Sequence, residues 1–375
     1  MLINFTGKKG ICCESPDTEN NTSISVHGGD VYRNEVRIDF SVNLNPLGVP
    51  EEMIEAAEKG LSEVTRYPDP FHAELRQSIA GFEHTDPDNI VCGSGASELI
   101  MATVHAFRPE KALITAPCYS GYETALKASD ADIHYYRLDE NTGFRLDKGI
   151  LRHITEETGL IFLTNPNNPN GRLIDHDLLD EIKEKCDECG SALVLDECFL
   201  PLTGTDCRIP DDKVIHLRAF TKTFAVPGIR LGYIISNDKS MLDRIRLHLP
   251  EWNVSGIAEN AGVEASKIMN RSAYLQKAVQ LIRNESDYLE KELTGLGFRV
   301  YPSDVNYLLI RCSSEIRERY HRSAAGLYDE LMKDGIMIRR CANFHGLDDS
   351  YFRIAVRKHE DNAELIAALN SIITD

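Results

Sequence analysis

The sequence lacks the features of an exported, membrane-bound or nucleic-acid-binding protein. No apolar run approaches the roughly 20 residues that cross a bilayer, and the polar N-terminus has no apolar stretch long enough for a signal peptide. Basic residues are a minority, because 41 Lys and Arg stand against 59 Asp and Glu, which gives a net charge of −18. We therefore expect a cytoplasmic protein with no membrane and no nucleic-acid partner.

Cysteine is too sparse to form a disulfide scaffold, since the chain has 10 Cys in 375 residues. Cys186 and Cys189 form one CxxC motif, but a structural zinc site needs four ligands, and no second pair occurs at a matching spacing. We therefore predict no metal. Cys186 continues the apolar stripe of a predicted helix, which favours packing in the core, and a redox role stays open.

What the sequence does contain is the alternation typical of an α/β protein. From about residue 89, short apolar runs alternate with amphipathic stretches, which is the pattern of parallel strands joined by crossover helices. Helices are predicted at 97–107, 119–129 and 176–189. One large, mostly parallel sheet is predicted from seven strands at 89–92, 112–115, 133–136, 160–164, 192–196, 214–218 and 232–235.

A smaller α+β lobe is predicted at the C-terminus, after a long helical region at about 256–293. Its predicted elements are strands at 306–311, 336–339 and 351–356 and helices at 324–333 and 361–373. The expected division is an N-terminal arm at 1–44 that joins the small domain, a large domain at 45–260 and a small domain at 261–375. No flexible linker separates the lobes, so we expect a ligand in the cleft between them.

Three motifs follow predicted strands of the sheet. GSGASE at 93–98 opens a helix, where glycines and free N–H groups can bind a phosphate, although a plain strand-to-helix turn is an equal alternative. Glu98 stands where a dinucleotide fingerprint has its third glycine, which weakens a nicotinamide interpretation. NPNNPNG at 165–171 forms a stiff turn at the carboxyl end of a strand, where open α/β sheets bind ligands. In VLDE at 194–197, a carboxylate ends an apolar run.

A lysine and an arginine complete the pattern. Lys222 follows another strand by four residues in RAFTK, and a partly desolvated lysine becomes a nucleophile toward an aldehyde. Arg230 lies between glycines in GIRLG and suits a phosphate. Each residue alone would be explained as a surface charge. Asp196 can pair with a pyridinium, and the Gly-rich helix start can bind a phosphate. Together with Lys222 and Arg230, they form the set of groups required to bind pyridoxal phosphate.

The chain resembles the fold-type I aminotransferase superfamily over nearly its whole length. The resemblance rests on the ordered set GSGASE, NPNNPNG, VLDE, FTK and GIRLGY. Within the superfamily, DFSVNLNPLG at 39–48 and IRRCANF at 338–344 look most like the threonine-phosphate decarboxylases of cobalamin biosynthesis, with histidinol-phosphate aminotransferases next. The resemblance implies a fold-type I structure, pyridoxal 5′-phosphate as the cofactor and a homodimer.

The resemblance also implies a role for each matching residue. Lys222 would bond to the aldehyde of the cofactor, and Asp196 would keep the ring nitrogen protonated. The other implied cofactor contacts are Asn168 at the 3-hydroxyl, Tyr119 on the ring, Ala96, Ser97, Thr221 and Arg230 at the phosphate, and Tyr67 at the phosphate of the neighbouring subunit. The implied substrate-binding residues are His27, Gly28, Asn43, Asn168, Arg339 and Arg353, the last at the substrate carboxylate.

These residues are compatible with more than one reaction. The resemblance implies decarboxylation of a phosphorylated amino acid, L-threonine O-3-phosphate, to (R)-1-amino-2-propanol O-2-phosphate and carbon dioxide. The alternatives are amino transfer on histidinol phosphate or an aromatic amino acid, and decarboxylation of phosphoserine. Phe199 stands where the aminotransferases usually have a tyrosine, which favours the decarboxylase. A ligand-binding regulator of transcription is disfavoured by the acidic composition.

Overall fold

The computed structural model of the protein describes residues 28–206, 213–271, 273–319 and 323–374. The strands in this part of the chain are β1 Ile38–Asp39, β2 Ile90–Gly93, β3 Lys111–Ala116, β4 Asp132–Arg137, β5 Thr158–Thr164, β6 Ala192–Asp196, β7 Ile215–Ala219, β8 Gly232–Ile235, β9 Arg299–Val300, β10 Tyr307–Arg311, β11 Ile336–Met337, β12 Arg339–Arg340 and β13 Tyr351–Ala355. The helices are α1 Glu51–Ser62, α2 Ala73–Glu83, α3 Ala96–Phe107, α4 Ser120–Lys127, α5 His176–Cys189, α6 Phe220–Thr223, α7 Lys239–Arg246, α8 Gly256–Arg271, α9 Tyr274–Gly295, α10 Ser314–Arg319, α11 Ala324–Lys333 and α12 His359–Thr374.

The large sheet contains seven strands in the order β2-β8-β7-β6-β5-β3-β4. Neighbouring strands are parallel, except that β8 runs antiparallel to both β2 and β7. The predicted α/β class, with one large and mostly parallel sheet, is therefore confirmed. Each of the seven strands begins and ends within two residues of its predicted bounds.

The central strand β6 shows why these segments are apolar throughout. Its five residues are all buried, with Leu193 and Leu195 packed in one hydrophobic cluster and Val194 in another. A strand that is covered on both faces has no solvent side, so a continuous apolar run replaces the alternating pattern. Helix α5, which precedes β6, buries Leu178, Ile182 and Cys186 on one face, so the predicted core position of Cys186 is confirmed.

The smaller lobe is built on an antiparallel sheet of four strands in the order β12-β13-β10-β9. Strand β1 pairs in parallel with β11, so the segment that precedes the large sheet in sequence lies with the C-terminal residues. The prediction of a single strand at 336–339 is wrong. The segment forms two short strands in different sheets, because 336–337 pair with β1 whereas 339–340 pair with β13.

Several helices differ from the sequence prediction. The helical region predicted at 256–293 consists of two helices, α8 and α9. Residues 51–83 form α1 and α2, which pack on α8 and were not predicted. Among the described helices, none combines the length and the apolar character that a bilayer-spanning helix requires. The domain boundaries at 44 and 260 stay predictions.

The two lobes are joined by polar contacts as well as by the chain. Glu140, which follows β4, accepts hydrogen bonds from the Tyr301 hydroxyl at 2.5 Å and from Arg311 at 2.6 Å. Arg172, after β5, forms an ion pair of 3.4 Å with Asp304. These contacts hold the small lobe beside the end of the large sheet, where the cleft lies.

Candidate active site

A cavity of about 290 Å³ lies at the carboxyl ends of β5 and β6, whose last residues Thr164 and Asp196 both line it. Parallel strands end at the same edge of a sheet, which is why residues far apart in sequence meet here. The predicted site residues that line the cavity are Gly28, Asn43, Ala96, Ser97, Tyr119, Asn168, Asp196, Thr221, Lys222, Arg230, Arg339 and Arg353.

Asp196 is a buried carboxylate with neutral hydrogen-bond donors. Its Oδ2 accepts a hydrogen bond of 2.6 Å from the Tyr122 hydroxyl, and its Oδ1 accepts one of 3.0 Å from the Cys198 amide. Burial raises the pKa of Asp196, and these hydrogen bonds oppose the rise. A cation beside the carboxylate would favour its ionised form. The position therefore fits a protonated ring nitrogen.

Lys222 lies in the short helix α6, directly after β7, and its side chain faces the cavity. Burial, followed by the positive charge of Arg353, lowers the pKa of Lys222 to about 8. With that pKa, roughly one amine in ten is neutral at pH 7, against fewer than about one in a thousand for an ordinary lysine. The Nζ atom also lies 5.7 Å from the centre of the Phe199 ring. These surroundings suit a lysine that attacks an aldehyde.

The start of α3 forms a cradle for a phosphate together with Arg230. Gly95 precedes the helix with φ of 82° and, as a glycine, has no side chain that could cap the first helical N–H groups. A Cβ atom at Gly95 would lie 2.7 Å from Nη2 of Arg230, so the guanidinium rests directly against the helix start. Free N–H groups, the helix dipole and a guanidinium all attract a phosphate. Ala96, Ser97 and Thr221 line the same region.

The Tyr119 ring is held in place by a glycine and a second tyrosine. A Cβ atom at Gly121 would lie 2.2 Å from the Tyr119 ring, so any larger residue would displace it. The ring contacts Tyr122 edge to face, with 5.4 Å between centres. Tyr122 in turn bonds Asp196, so the aromatic wall and the carboxylate of the cavity are fixed together.

Arg353 is a buried cation with neutral partners. Its Nη1 donates to Oδ1 of Asn168, its Nη2 donates to the Ser41 carbonyl at 3.0 Å, and its guanidinium lies 5.4 Å from the centre of the Tyr307 ring. Burial lowers the pKa of Arg353 to about 10. Its Nε and the Oδ1 of Asn43 are buried without a hydrogen-bond partner among the described residues.

Arg339 lies next to Arg353, because the two residues pair directly between β12 and β13. Its guanidinium stacks on Phe344 at 5.2 Å and donates to Oδ1 of Asn343 at 2.9 Å. Burial lowers the pKa of Arg339. In the described part of the chain neither arginine forms an ion pair with a carboxylate. Buried guanidinium groups without a counter-charge are costly, so this part of the cavity is suited to anions.

One predicted site residue of the described chain, Tyr67, does not line the cavity. Tyr67 is 77% exposed and lines a separate groove. Its ring contacts that of Trp252 in a tilted arrangement, with 4.7 Å between centres. His27 lies outside the described residues. The cavity therefore brings together the predicted site residues of the described chain except Tyr67.

Sequence reasoning missed several residues of the cavity, of which four contact predicted site residues or lie beside them. Tyr122, Cys198, Phe344 and Ser41 all line it. Tyr122 and Cys198 follow the predicted residues Tyr119 and Asp196 by three and two positions, a closeness that could have indicated them. Ser41 and Phe344 lie inside segments that supported the resemblance, but nothing in their spacing points to a role.

The chain is similar to known proteins over most of its length. A family model described as aminotransferase class I and II matches residues 35–369. Threonine-phosphate decarboxylase of Salmonella typhimurium is 34% identical over 364 residues, covering 93% of this chain and 97% of the relative. Histidinol-phosphate aminotransferase of Methanothermobacter thermautotrophicus is 31% identical, covering 90% and 89%. The crystal structure of the histidinol-phosphate aminotransferase from Clostridium acetobutylicum superposes with a TM-score of 0.82 at 33% identity, covering 90% and 99%.

Proposed function

Because the chain belongs to the class I and II aminotransferase family, we propose that it decarboxylates L-threonine O-3-phosphate to 1-amino-2-propanol phosphate and carbon dioxide. Family membership confirms the predicted fold-type I architecture and the predicted pyridoxal 5′-phosphate cofactor. The cavity fits this cofactor, since it combines a lysine of low pKa, a buried carboxylate and an uncapped helix start beside an arginine.

The pair of buried arginines supports the substrate class most directly. Arg339 and Arg353 are neighbours across two strands, and each presents a guanidinium that no carboxylate of the described chain neutralises. A phosphorylated amino acid has two anionic groups, a carboxylate and a phosphate, and the guanidinium fork binds either with paired hydrogen bonds. We assign Arg353 to the carboxylate, and Arg339 with Gly28 and Asn43 to the phosphate.

The residues of the cavity would hold the cofactor and move a proton at Cα. When bound, pyridoxal phosphate supplies an electron-withdrawing ring that accepts the electron pair of the bond broken at Cα. Asp196 would hold a proton on the ring nitrogen, while Ala96, Ser97, Thr221 and Arg230 would hold the phosphate. Asn168 would donate a hydrogen bond from its amide nitrogen to the oxygen at position 3 of the cofactor, because its Oδ1 already accepts a hydrogen bond from Arg353. Lys222 would return a proton to Cα after carbon dioxide leaves.

The orientation of the substrate separates this reaction from amino transfer. If Arg353 at the carboxylate and Arg339 at the phosphate orient the substrate so that the Cα–carboxylate bond is the one weakened, carbon dioxide would leave, whereas an orientation that weakens the Cα–H bond would lead to amino transfer. Histidinol-phosphate aminotransferase is the second candidate, favoured by the solved structure at 33% identity. Phe199 favours the decarboxylase, because its ring offers no hydroxyl where the aminotransferases usually have one.

A product assay decides between these candidates. The purified holoenzyme is given L-threonine phosphate, L-serine phosphate or histidinol phosphate in parallel, each with and without 2-oxoglutarate. We expect release of carbon dioxide in proportion to L-threonine phosphate, with no requirement for 2-oxoglutarate. Glutamate formation from histidinol phosphate without any carbon dioxide would overturn the proposal in favour of the aminotransferase.

The low pKa of Lys222 predicts how cofactor uptake depends on pH. Only the neutral amine attacks an aldehyde, and a pKa of about 8 means that the neutral fraction rises steeply around that pH. The rate at which the cofactor-free protein takes up pyridoxal phosphate should therefore rise through about pH 8 and level off within about one further pH unit. Stopped-flow absorbance measures this rate. A rate that keeps rising toward the usual lysine pKa of about 10.4 would contradict the prediction.

We also propose that the protein is a homodimer, formed through the face that carries α1 and Tyr67. Apolar side chains are exposed on α1 and on the segment that follows it, with Leu61 at 58%, Tyr67 at 77% and Phe71 at 73%. Exposed apolar groups of this size are typical of a surface that another chain covers. Such a dimer would remove Tyr67 from water and would allow it to reach the partner's cofactor phosphate.

Leu61→Glu tests this interface. A buried, unpaired carboxylate opposes association, so we expect the variant to sediment as a monomer at concentrations where the parent is a dimer. Leu247→Glu is the matched control, because Leu247 is 84% exposed and follows α7 in a different part of the chain. A parent protein that sediments as a monomer at all concentrations would refute the dimer.

A further inference from the structure

Ser41 lies where the two anion-binding parts of the site meet. It is 2% exposed, follows β1 and lines the cavity that holds Lys222. The backbone carbonyl of Ser41 accepts the hydrogen bond of 3.0 Å from Nη2 of Arg353. The hydroxyl of Ser41 forms hydrogen bonds with the Gly29 amide and with Asp39. Ser41 therefore contacts both Arg353 and the turn at Gly28 and Gly29.

The first partner of the hydroxyl is the turn at Gly28 and Gly29. The Gly29 amide donates a hydrogen bond of 2.7 Å to Oγ of Ser41. At Gly28 a Cβ atom would lie 2.5 Å from the carbonyl oxygen and 2.8 Å from the hydroxyl oxygen of Ser41. Approach this close excludes any side chain at Gly28. The turn is therefore packed directly onto Ser41.

The second partner is Asp39, the last residue of β1. Its Oδ1 accepts a hydrogen bond of 2.6 Å from the Ser41 hydroxyl and one of 2.7 Å from the Ser41 amide. Because the hydroxyl proton goes to Asp39, the oxygen can only accept from Gly29, and its orientation is fixed. Strand β1 is itself held by β11, through the pairing of Asp39 with Met337.

The turn opens onto a groove of about 1160 Å³ beside the cavity. Gly28, Ser41 and Arg339 line both spaces, so the groove and the cavity meet at these residues. The Arg339 guanidinium, which no carboxylate of the described chain neutralises, lines both spaces beside this turn, so positive charge faces an anion that enters there. This is the region assigned above to the substrate phosphate.

We propose that Ser41 and Asp39 are positioning residues that fix the Gly28–Gly29 turn for recognition of the substrate phosphate. The proposal rests on the proposed function, because it takes the ligand to be a phosphorylated amino acid. Neither residue is placed at the reacting atoms. Their effect is therefore on the affinity for the phosphate-bearing substrate and not on bond breaking at Cα.

Ser41→Ala tests the proposal, since it removes the hydroxyl and keeps the carbonyl that contacts Arg353. We expect the KM for L-threonine phosphate to rise about tenfold, equivalent to about 1.4 kcal/mol, with kcat within about threefold of the parent. The dissociation constant of L-threonine, which lacks the phosphate, should stay unchanged in a spectrophotometric titration of the holoenzyme. Asp39→Ala should match Ser41→Ala, and the double variant should be no worse than either.

Ser240→Ala is the matched control, because Ser240 is exposed and bonds Asp238 through the same pair of contacts, at 2.7 Å from Oγ and 3.0 Å from N. Cofactor absorbance and thermal unfolding verify that each variant is folded and loaded. An unchanged KM, an equal loss of affinity for L-threonine, or additive effects of the two substitutions would overturn the proposal. If the parent releases no carbon dioxide, the proposed function fails, whereas titration with L-threonine phosphate still tests Ser41.

Discussion

Lys222→Ala is expected to lower the rate of carbon dioxide release by at least about 10⁴-fold, the scale seen when a covalent catalytic group is removed. Lys222 is the cavity lysine whose pKa falls to about 8, so it is the group suited to bond the cofactor aldehyde and to move a proton at Cα. Alanine leaves neither role filled. The same substitution should leave the fold intact, because the side chain faces the cavity and not the core of the sheet.

Covalent trapping of the cofactor gives a second readout for this variant. Reduction with borohydride should add the mass of the cofactor to the parent chain and should add none to Lys222→Ala. Lys291→Ala is the control, since the Lys291 side chain is 83% exposed on α9, and it should behave as the parent in both measurements. A Lys222→Ala protein that still decarboxylates at the parent rate would refute the enzyme mechanism proposed above.

Asp196→Asn is expected to lower kcat by about 10³-fold, with a much smaller change in the affinity for substrate. An amide has nearly the shape of the carboxylate but cannot hold a proton on the ring nitrogen by its charge. Oδ1 of the asparagine can still accept from Cys198, so the polypeptide around it should fold normally. The measurement is single-turnover carbon dioxide release by protein that is saturated with cofactor.

A graded variant separates the charge of Asp196 from its orientation. Tyr122→Phe removes one hydrogen bond of 2.6 Å to the carboxylate and keeps the charge, so we expect a loss of about tenfold in kcat. Asp132→Asn, at an exposed position of the edge strand β4, serves as the control and should have no effect. If Asp196→Asn and Tyr122→Phe lose activity equally, the charge of Asp196 is not the important property.

The large sheet could be predicted from sequence because its strands are buried on both faces. Runs such as residues 192–196 admit no polar residue until the strand reaches the cleft, and the first polar residue, Asp196, then marks the site. The small lobe was harder to predict. Residues 336–340 are almost entirely buried, so their pattern could not indicate that the chain leaves one sheet and enters another at Ile338.

The residues of the candidate site could be predicted where they are charged groups that seldom occur at the ends of buried strands without a ligand. A carboxylate that ends one strand, followed by a lysine and an arginine after the next strand, indicates a charged ligand. Asp196, Lys222 and Arg230 indeed line one cavity. Ser41 was not predictable, because a serine can bond almost any polar neighbour and its partner Gly29 is set by the packing of β1 on β11. The role predicted for Tyr67 stays a prediction, since its expected contact is with the cofactor phosphate of a second chain.

The pairing of Arg339 with Arg353 has a consequence for the size of molecule that can react. Both guanidinium groups belong to the sheet of the small lobe, whereas Asp196 ends a strand of the large sheet and Lys222 follows another. A molecule that contacts both arginines as well as Asp196 or Lys222 has to reach from one lobe to the other. The distance between the lobes therefore limits its length. Under the proposed function, contacts that join the two lobes, such as that of Glu140 with Tyr301, therefore help to set the length of the substrate.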